Sequence, residues 1–340
     1  MKLSYYTTTL QLHHPFAIAR GTRTTHETII VEIEHEGITG IGEASPSLRY
    51  GETIDATIEF FSSIDFSSFA KNFKIEHAFA SLDKLPPGFN AGKAALDIAL
   101  NDLMGKRLNK PLWKLWKFSS SPCPASSFTI AGGTIKEIEQ KVRAASDYPI
   151  LKIKLGFEHD IEIMQAVRDM TDKPLLADAN EGWKTKEEAL DKILYLQRLG
   201  IELVEQPLPA SDIDGMKWLK QYVKIPLFAD ESCVTLQDLT SLKGVFDGIN
   251  VKLMKCGGLR NALQMIYTAK KILGMKVMLG CMIETSVGIS AAAQLSSLVH
   301  YCDLDGSVLI NNDPFEGIKN IYGKIYVNDE PGIGVKKILF

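Results

Sequence analysis

The sequence predicts an α/β protein, a β/α barrel carrying a smaller α+β cap. Three observations point there. From about residue 126 onward, short apolar runs alternate with longer helical segments, recurring about every 25 residues: SSFTIAG, PILKIKLG, PLLADAN, ELVEQP, PLFADES, DGINVKL, KVMLGCM and CDLDGSVLI. The polar residues of these runs sit at their carboxyl ends, where a barrel gathers side chains from many strands into one mouth; an open doubly wound sheet would concentrate them at one switch point. The first stretch of the chain and the tail FEGIKNIYGKIYVNDEPGIGV both have the texture of strands and turns, so the two ends are expected to meet in a discontinuous cap. The expected division is a cap with active-site loops over 1–120, the barrel over 121–310, and a return to the cap over 311–340.

Composition narrows the function classes. At 340 residues and 45% hydrophobic content, the chain can bury one large core and a smaller one. No run approaches the roughly eighteen apolar residues of a membrane span, and the start MKLSYYTTTLQLHH lacks the apolar stretch of a signal peptide. A formal net charge of −3 without blocks of like charge gives no general attraction to nucleic acid or anionic lipid. A small-molecule partner is the expectation. Cys123, Cys233, Cys256, Cys281 and Cys302 include no CxxC pair, which argues for reduced thiols in a cytoplasm and against a disulfide framework or a structural zinc site. The histidines lack HExxH spacing.

Taken in order, the chain first offers TIIVEIEHEGITGIGEASP, a hairpin turning near Glu36-Gly37. Gly37, Gly40 and Gly42 stand in the wrong order for a dinucleotide loop. Upstream, HHPFAIARGTRTTHE is rich in Gly, Thr and Arg and poor in periodicity. It reads as a loop, either a lid over a site or plain surface, with Arg20 and Arg23 as its anion-binding groups. SPSLRYGET is a candidate second flap. Residues from about 54 to 116 turn helical; in NAGKAALDIALNDLMGKR the residues Ala91, Ala95, Ile98 and Ala99 fall on one stripe, with Asn90 as the expected cap and Lys110-Pro111 as the break.

The chemistry gathers in the barrel. Alternation puts Lys152 and Lys154 on one face of their strand. Asp178, Glu205 and Asp230 end three consecutive runs, and three buried carboxylates cannot stay ionised together without a strong counter-charge. A hard divalent cation supplies it, and oxygen-only ligands favour Mg²⁺. Lys252 ends the sixth run, across the barrel from the second, so a lysine from each reaches opposite faces of whatever is held between them. Solvated strand lysines are the competing reading. A nearby divalent cation and a second ammonium disfavour a lysine's charged form and free the amine as a base, while Lys152 stays charged against a substrate carboxylate.

Lys152-x-Lys154, Asp178-x-Asn180, Glu205-Gln-Pro207, Asp230-Glu231-Ser232 and Lys252 together resemble the motifs of the enolase superfamily, muconate-lactonizing subgroup, and the resemblance covers nearly the whole chain. It implies a modified (β/α)₇β barrel of TIM type with an α+β cap, one Mg²⁺ per subunit on Asp178, Glu205 and Asp230, and Lys154 and Lys252 as an acid/base pair. KLMKCGG, GCMIET and DLDG resemble the dipeptide epimerases of that subgroup, in which the last motif grips the substrate's free ammonium; here that pair is Asp303 and Asp305. Alternation puts both on one face at the barrel mouth, whereas the bland reading is an Asp-Gly turn. The implied reaction inverts the α-carbon of the dipeptide's carboxy-terminal residue by two-base proton transfer through an enediolate. Arg20 or Arg23, Thr129 and Met282 are the expected further contacts, and Glu284 is a contact or a support. The substrate classes left open are Ala-Glu, as in murein peptide metabolism, Ala-Ala, and other Ala-containing or hydrophobic dipeptides. The rivals are o-succinylbenzoate synthase or muconate cycloisomerase chemistry, an N-acylamino acid racemase, and a non-catalytic barrel. Relatives are often symmetric assemblies, so a homo-oligomer is compatible with the resemblance.

Overall fold

The computed structural model describes residues 1–66 and 75–338. The part of the expected helical stretch at 67–74 and the final two residues of the expected return, 339–340, lie outside the described residues.

Three antiparallel strands open the chain: β1 (Lys2–Ile18), β2 (Gly21–His35) and β3 (Ile38–Ala44). Glu36 and Gly37, at φ 52° and 79°, make the expected two-residue turn between β2 and β3. The stretch HHPFAIARGTRTTHE departs from expectation. It is an extension of the β1–β2 ribbon, with a register shift between Gln11 and Phe16 and the turn at Ala19–Arg20. Strand pairing there leaves most residues outside the core, so no apolar alternation marks it in the sequence.

The other side of this sheet meets the helix Asn90–Arg107 at small residues. A Cβ on Gly40 would collide with the Ala99 carbonyl, and one on Gly42 with the Ala95 carbonyl. The expected alanine stripe and the strand glycines thus fit each other. Asn90 does not cap this helix. It is the first helical residue; Phe89 precedes it in the left-handed region, and the Glu52 carboxylate accepts from the free amides of Asn90 and Ala91.

Seven of the eight apolar runs contain a strand, β4 (Phe128–Ile130), β5 (Leu151–Lys154), β6 (Leu175–Asp178), β7 (Leu203–Glu205), β8 (Leu227–Ala229), β9 (Gly248–Lys252) and β10 (Lys276–Gly280), whereas β11 (Tyr301–Asp303) overlaps the last run only at Cys302 and Asp303 and leaves Asp305 beyond the strand, against the expected alternation. They pair in sequential order, all parallel, and Ser126 bridges Cys302 to bring the first strand to the last. Helical turns follow each strand but the last, which is the (β/α)₇β arrangement. Leu176, Leu203, Phe228 and Met278 form a separate buried cluster. Each lies two residues before the end of an inward row, so this cluster is the apolar floor directly beneath Asp178, Glu205, Asp230 and Gly280.

The tail returns as expected. The hairpin Lys319–Ile321/Lys324–Tyr326 leads to Ile333, whose amide donates to Asp102 of the long helix at 2.9 Å, and Lys337 lies 3.6 Å from Glu32 of β2. Among the described residues, no helix is long and apolar enough to cross a membrane. All five cysteines are free.

Candidate active site

Strand register sets the first row of the site. Lys154 pairs with Asp178 and Asp178 with Glu205, while Lys252 pairs with Gly280 and Gly280 with Asp303. Inward positions at one level therefore carry charge from five strands. β5 and β9 stand four strands apart in the eight-strand order, so Lys154 and Lys252 face one pocket from opposite walls.

Ion pairs fill the mouth. Lys152 Nζ lies 2.7 Å from Asp303 Oδ2, 2.7 Å from Glu205 Oε2 and 3.1 Å from Asp178 Oδ2, while Lys154 Nζ is 2.7 Å from the same Asp178 oxygen. Opposite, Lys252 Nζ is 2.8 Å from Asp230 Oδ2 and Lys255 Nζ 2.6 Å from Asp230 Oδ1. All eight of these side chains are buried. Burial alone would raise Asp178 and Asp230, but Lys154 and Lys152 in one case and Lys252 and Lys255 in the other hold them well below the usual carboxylate range. Burial and the charges of Asp178 and Asp230 push Glu205 up to about 7 against the pull of Lys152. Burial would lower Lys152 and Lys252; their acid partners, Asp303 and Asp230 foremost, hold both well above the usual lysine value.

Among the described residues, no three His, Cys, Asp or Glu groups already stand as a metal cluster; the lysine ammonium groups contact the acids instead. The donor set nevertheless fits a hard cation. Glu205 Oε2 has its ion contact with Lys152 but no directed hydrogen bond, and the buried oxygens Asn180 Oδ1 and Glu231 Oε2 have no hydrogen-bond partner. Glu231 is pushed upward by burial and by Asp230 and Asp178, a sign of excess negative charge at this wall. Oxygen donors with surplus charge are what Mg²⁺ takes.

The last strand differs in detail from a free two-acid grip. Asp303 has both oxygens occupied, Oδ2 by Lys152 and Oδ1 by the Ser127 hydroxyl at 2.6 Å. Asp305 accepts from the Thr129 amide at 2.7 Å on Oδ2; burial and Asp303 push it up to about 6. Thr129 thus reaches the site through its backbone as well as lining the pocket with Met282. Glu284 is a support: its Oε1 accepts from the Met282 amide at 2.7 Å, and the side chain is buried behind the pocket wall.

The two arginines of the ribbon separate. Arg20 is engaged, 2.8 Å from Glu231 Oε1, 3.2 Å from Glu181 Oε2 and donating to the Asn180 carbonyl at 2.8 Å. Both line the pocket, but Arg23 has no acid partner there among the described residues: it is bonded to His26 Nδ1 at 3.1 Å, and His26 is held in turn by Ser45 at 2.7 Å. Burial and the nearby Arg20 lower its guanidinium value. The second flap also closes on Glu181: Arg49 Nε and Nη2 each lie 2.6 Å from its carboxylate, and Tyr50 lines the pocket beside Lys252.

Sequence reasoning gave no role to Asn250, Lys255, Glu181, Arg49, Tyr50 or Ser127. Asn250 donates to Glu205 Oε1 at 2.8 Å, and a Cβ on Gly280 would strike it. Its position two residues before Lys252 was the available signal. Ser127 likewise stands two residues before Thr129, at the edge of β4, and the rest act through turns whose direction no periodicity encodes.

Comparison with known proteins agrees with this geometry. Residues 134–337 match the family model of the enolase C-terminal domain-like fold, and residues 2–116 that of the mandelate racemase / muconate lactonizing enzyme N-terminal domain. The chain belongs to the enolase superfamily. An L-Ala-D/L-Glu epimerase of Bacteroides thetaiotaomicron is 45% identical to this superfamily member over 99% of its chain and 88% of the relative. Among solved structures, a substrate-liganded complex of the L-Ala-D/L-Glu epimerase from Bacillus subtilis superposes with a TM-score of 0.93 at 28% identity, covering 100% and 99% of the two chains. The dipeptide epimerase from Enterococcus faecalis V583, complexed with Mg and L-Leu-L-Tyr, gives a TM-score of 0.90 at 33% identity, covering 98% of each.

Proposed function

We propose that this protein is a Mg²⁺-dependent dipeptide epimerase, an isomerase that inverts the α-carbon of the carboxy-terminal residue, with Ala-Glu as its preferred substrate. The observation that carries this reading is the pair Lys154 and Lys252, on opposite strands of one barrel and lining one pocket. Asp178, Glu205 and Asp230 would hold the ion, which when bound supplies positive charge to the substrate carboxylate and so acidifies the α-carbon. Lys152, held charged by Asp303 and Glu205, adds a second cation for that carboxylate. One of Lys154 and Lys252 removes the α-proton and the other returns one from the opposite wall. Asp305 faces the substrate ammonium, with Asp303 adding its charge while it holds Lys152. Arg23 suits an acidic side chain, because its pocket neighbour is a histidine and Arg20 has already taken the nearby acids. An Ala-Glu substrate implies a role in murein peptide metabolism, and five free cysteines support a reducing, cytoplasmic setting.

The test is proton exchange. Incubation with Mg²⁺ in D₂O should place deuterium at one α-carbon of Ala-Glu and yield both epimers, and chelation of the ion should stop it. Exchange confined to N-acylamino acids, or turnover of a cyclohexadiene-type lyase substrate alone, would overturn the assignment.

A further inference from the structure

The cluster on Asp230 has a member for which proton transfer has no use. Lys255 is 1% exposed and lies in the single helical turn Leu253–Cys256 that follows β9. An ammonium has three donors. Lys255 directs bonds to Asp230 Oδ1 at 2.6 Å, the Asp230 carbonyl at 2.7 Å and the Asn250 carbonyl at 2.9 Å. None remains for a substrate, and Lys255 is absent from the pocket lining. These bonds tie the end of β8 to β9, and Asn250 in turn holds Glu205. We infer that Lys255 is a positioning residue of the metal site: it fixes one oxygen of Asp230 and leaves the other turned toward Lys252 and the pocket, so that Asp230 offers a single oxygen to the ion.

This inference rests on the Mg²⁺ reading above, and the experiment separates the two. Mg²⁺ binding to the metal-free enzyme is measured by calorimetry for the wild type and Lys255→Met, with circular dichroism to verify folding. Loss of an outer partner of a ligand weakens metal binding by about tenfold to a hundredfold. The folded variant is expected to bind Mg²⁺ that much more weakly, with kcat reduced and the KM for Ala-Glu at saturating Mg²⁺ near the wild-type value. A folded variant with wild-type Mg²⁺ affinity overturns the inference; a wild type that takes up no Mg²⁺ overturns the metal reading itself. Should Lys255→Met fail to fold, the double variant Lys255→Met/Asp230→Asn decides. Recovery of a folded chain supports a lysine matched to the Asp230 charge, and a double variant that stays unfolded assigns Lys255 to packing alone and overturns the inference.

Discussion

On the β5–β6 side of the mouth, Lys152 and Lys154 both contact Asp178; on the β8–β9 side, Lys252 and Lys255 both contact Asp230. The two walls carry the same charge inventory, two cations on one carboxylate, and reach it by different routes. On the first, strand alternation alone brings both lysines inward, and they share Asp178 Oδ2 while Oδ1 accepts the Asn180 amide at 2.9 Å. On the second, one lysine comes from the strand and the other from the helical turn after it, each on its own oxygen of Asp230. The spare lysine also differs: Lys152 reaches across to Glu205 and Asp303, whereas Lys255 turns back onto backbone carbonyls. Matched charge on both walls suits a reaction that runs in both directions, and the unequal backing fits the proposed division, with carboxylate binding at one wall and metal positioning at the other.

The sharpest way to break this symmetry is to remove one base at a time. Lys154→Ala and Lys252→Ala should each lower epimerisation by about 10²–10⁴-fold, the usual worth of a general acid or base. In D₂O each variant should retain exchange with a different epimer of Ala-Glu, read by proton NMR; exchange of the same epimer by both would put the two amines on one face. Next in size is the arginine pair above the walls. Arg23→Ala should raise the KM for Ala-Glu by roughly tenfold to a hundredfold, the value of a charged hydrogen bond, and leave Ala-Ala within about twofold. Arg20→Ala should affect both substrates alike, because its partners are protein acids.

A pH readout distinguishes the backing of the Lys252 wall. Burial and the neighbouring Glu43 push Glu284 from 4.5 up to about 8. With the folded value above the unfolded one, the folded protein binds the extra proton between these limits. The stability contribution is therefore complete below about pH 4.5 and drains as pH rises toward 8. The slope is at most about 1.4 kcal/mol per pH unit for one proton. Urea unfolding at pH 5 and pH 8 should show a flatter dependence in Glu284→Gln than in the wild type. Least in size is Glu181→Gln, which loosens ribbon and flap together at their common anchor. Partly exposed ion pairs contribute up to about 1 kcal/mol, so a KM rise of no more than about fivefold is expected, with faster amide exchange at both Arg20 and Arg49. A change at only one of the two would show that the lids move independently.

Much of the site was legible because barrel strands obey a short rule. Lys152, Lys154, Asp178, Glu205, Lys252 and Asp303 all lie at inward positions near strand ends, and period-two alternation plus sequential pairing is enough to bring them together. The ribbon reads as a loop in the sequence because its pairing leaves its surface largely outside the core. Asn90 looks like a cap in the sequence because the true cap, Glu52, comes from a different part of the chain.

The sequence by itself therefore determined the barrel, its cap, and which lysines and acids face the barrel interior, since these follow from periodicities of two and 3.6 residues that any local stretch displays. Only the tertiary structure decided that Arg20 is bound to Glu181 and Glu231 while Arg23, in the same pocket, pairs with His26, that Asp303 serves Lys152, and that Lys255 supports Asp230. Those choices depend on where turns and lids direct long side chains across gaps between distant segments. Local spacing encodes the face a residue occupies; it does not encode which of several charged partners lies opposite.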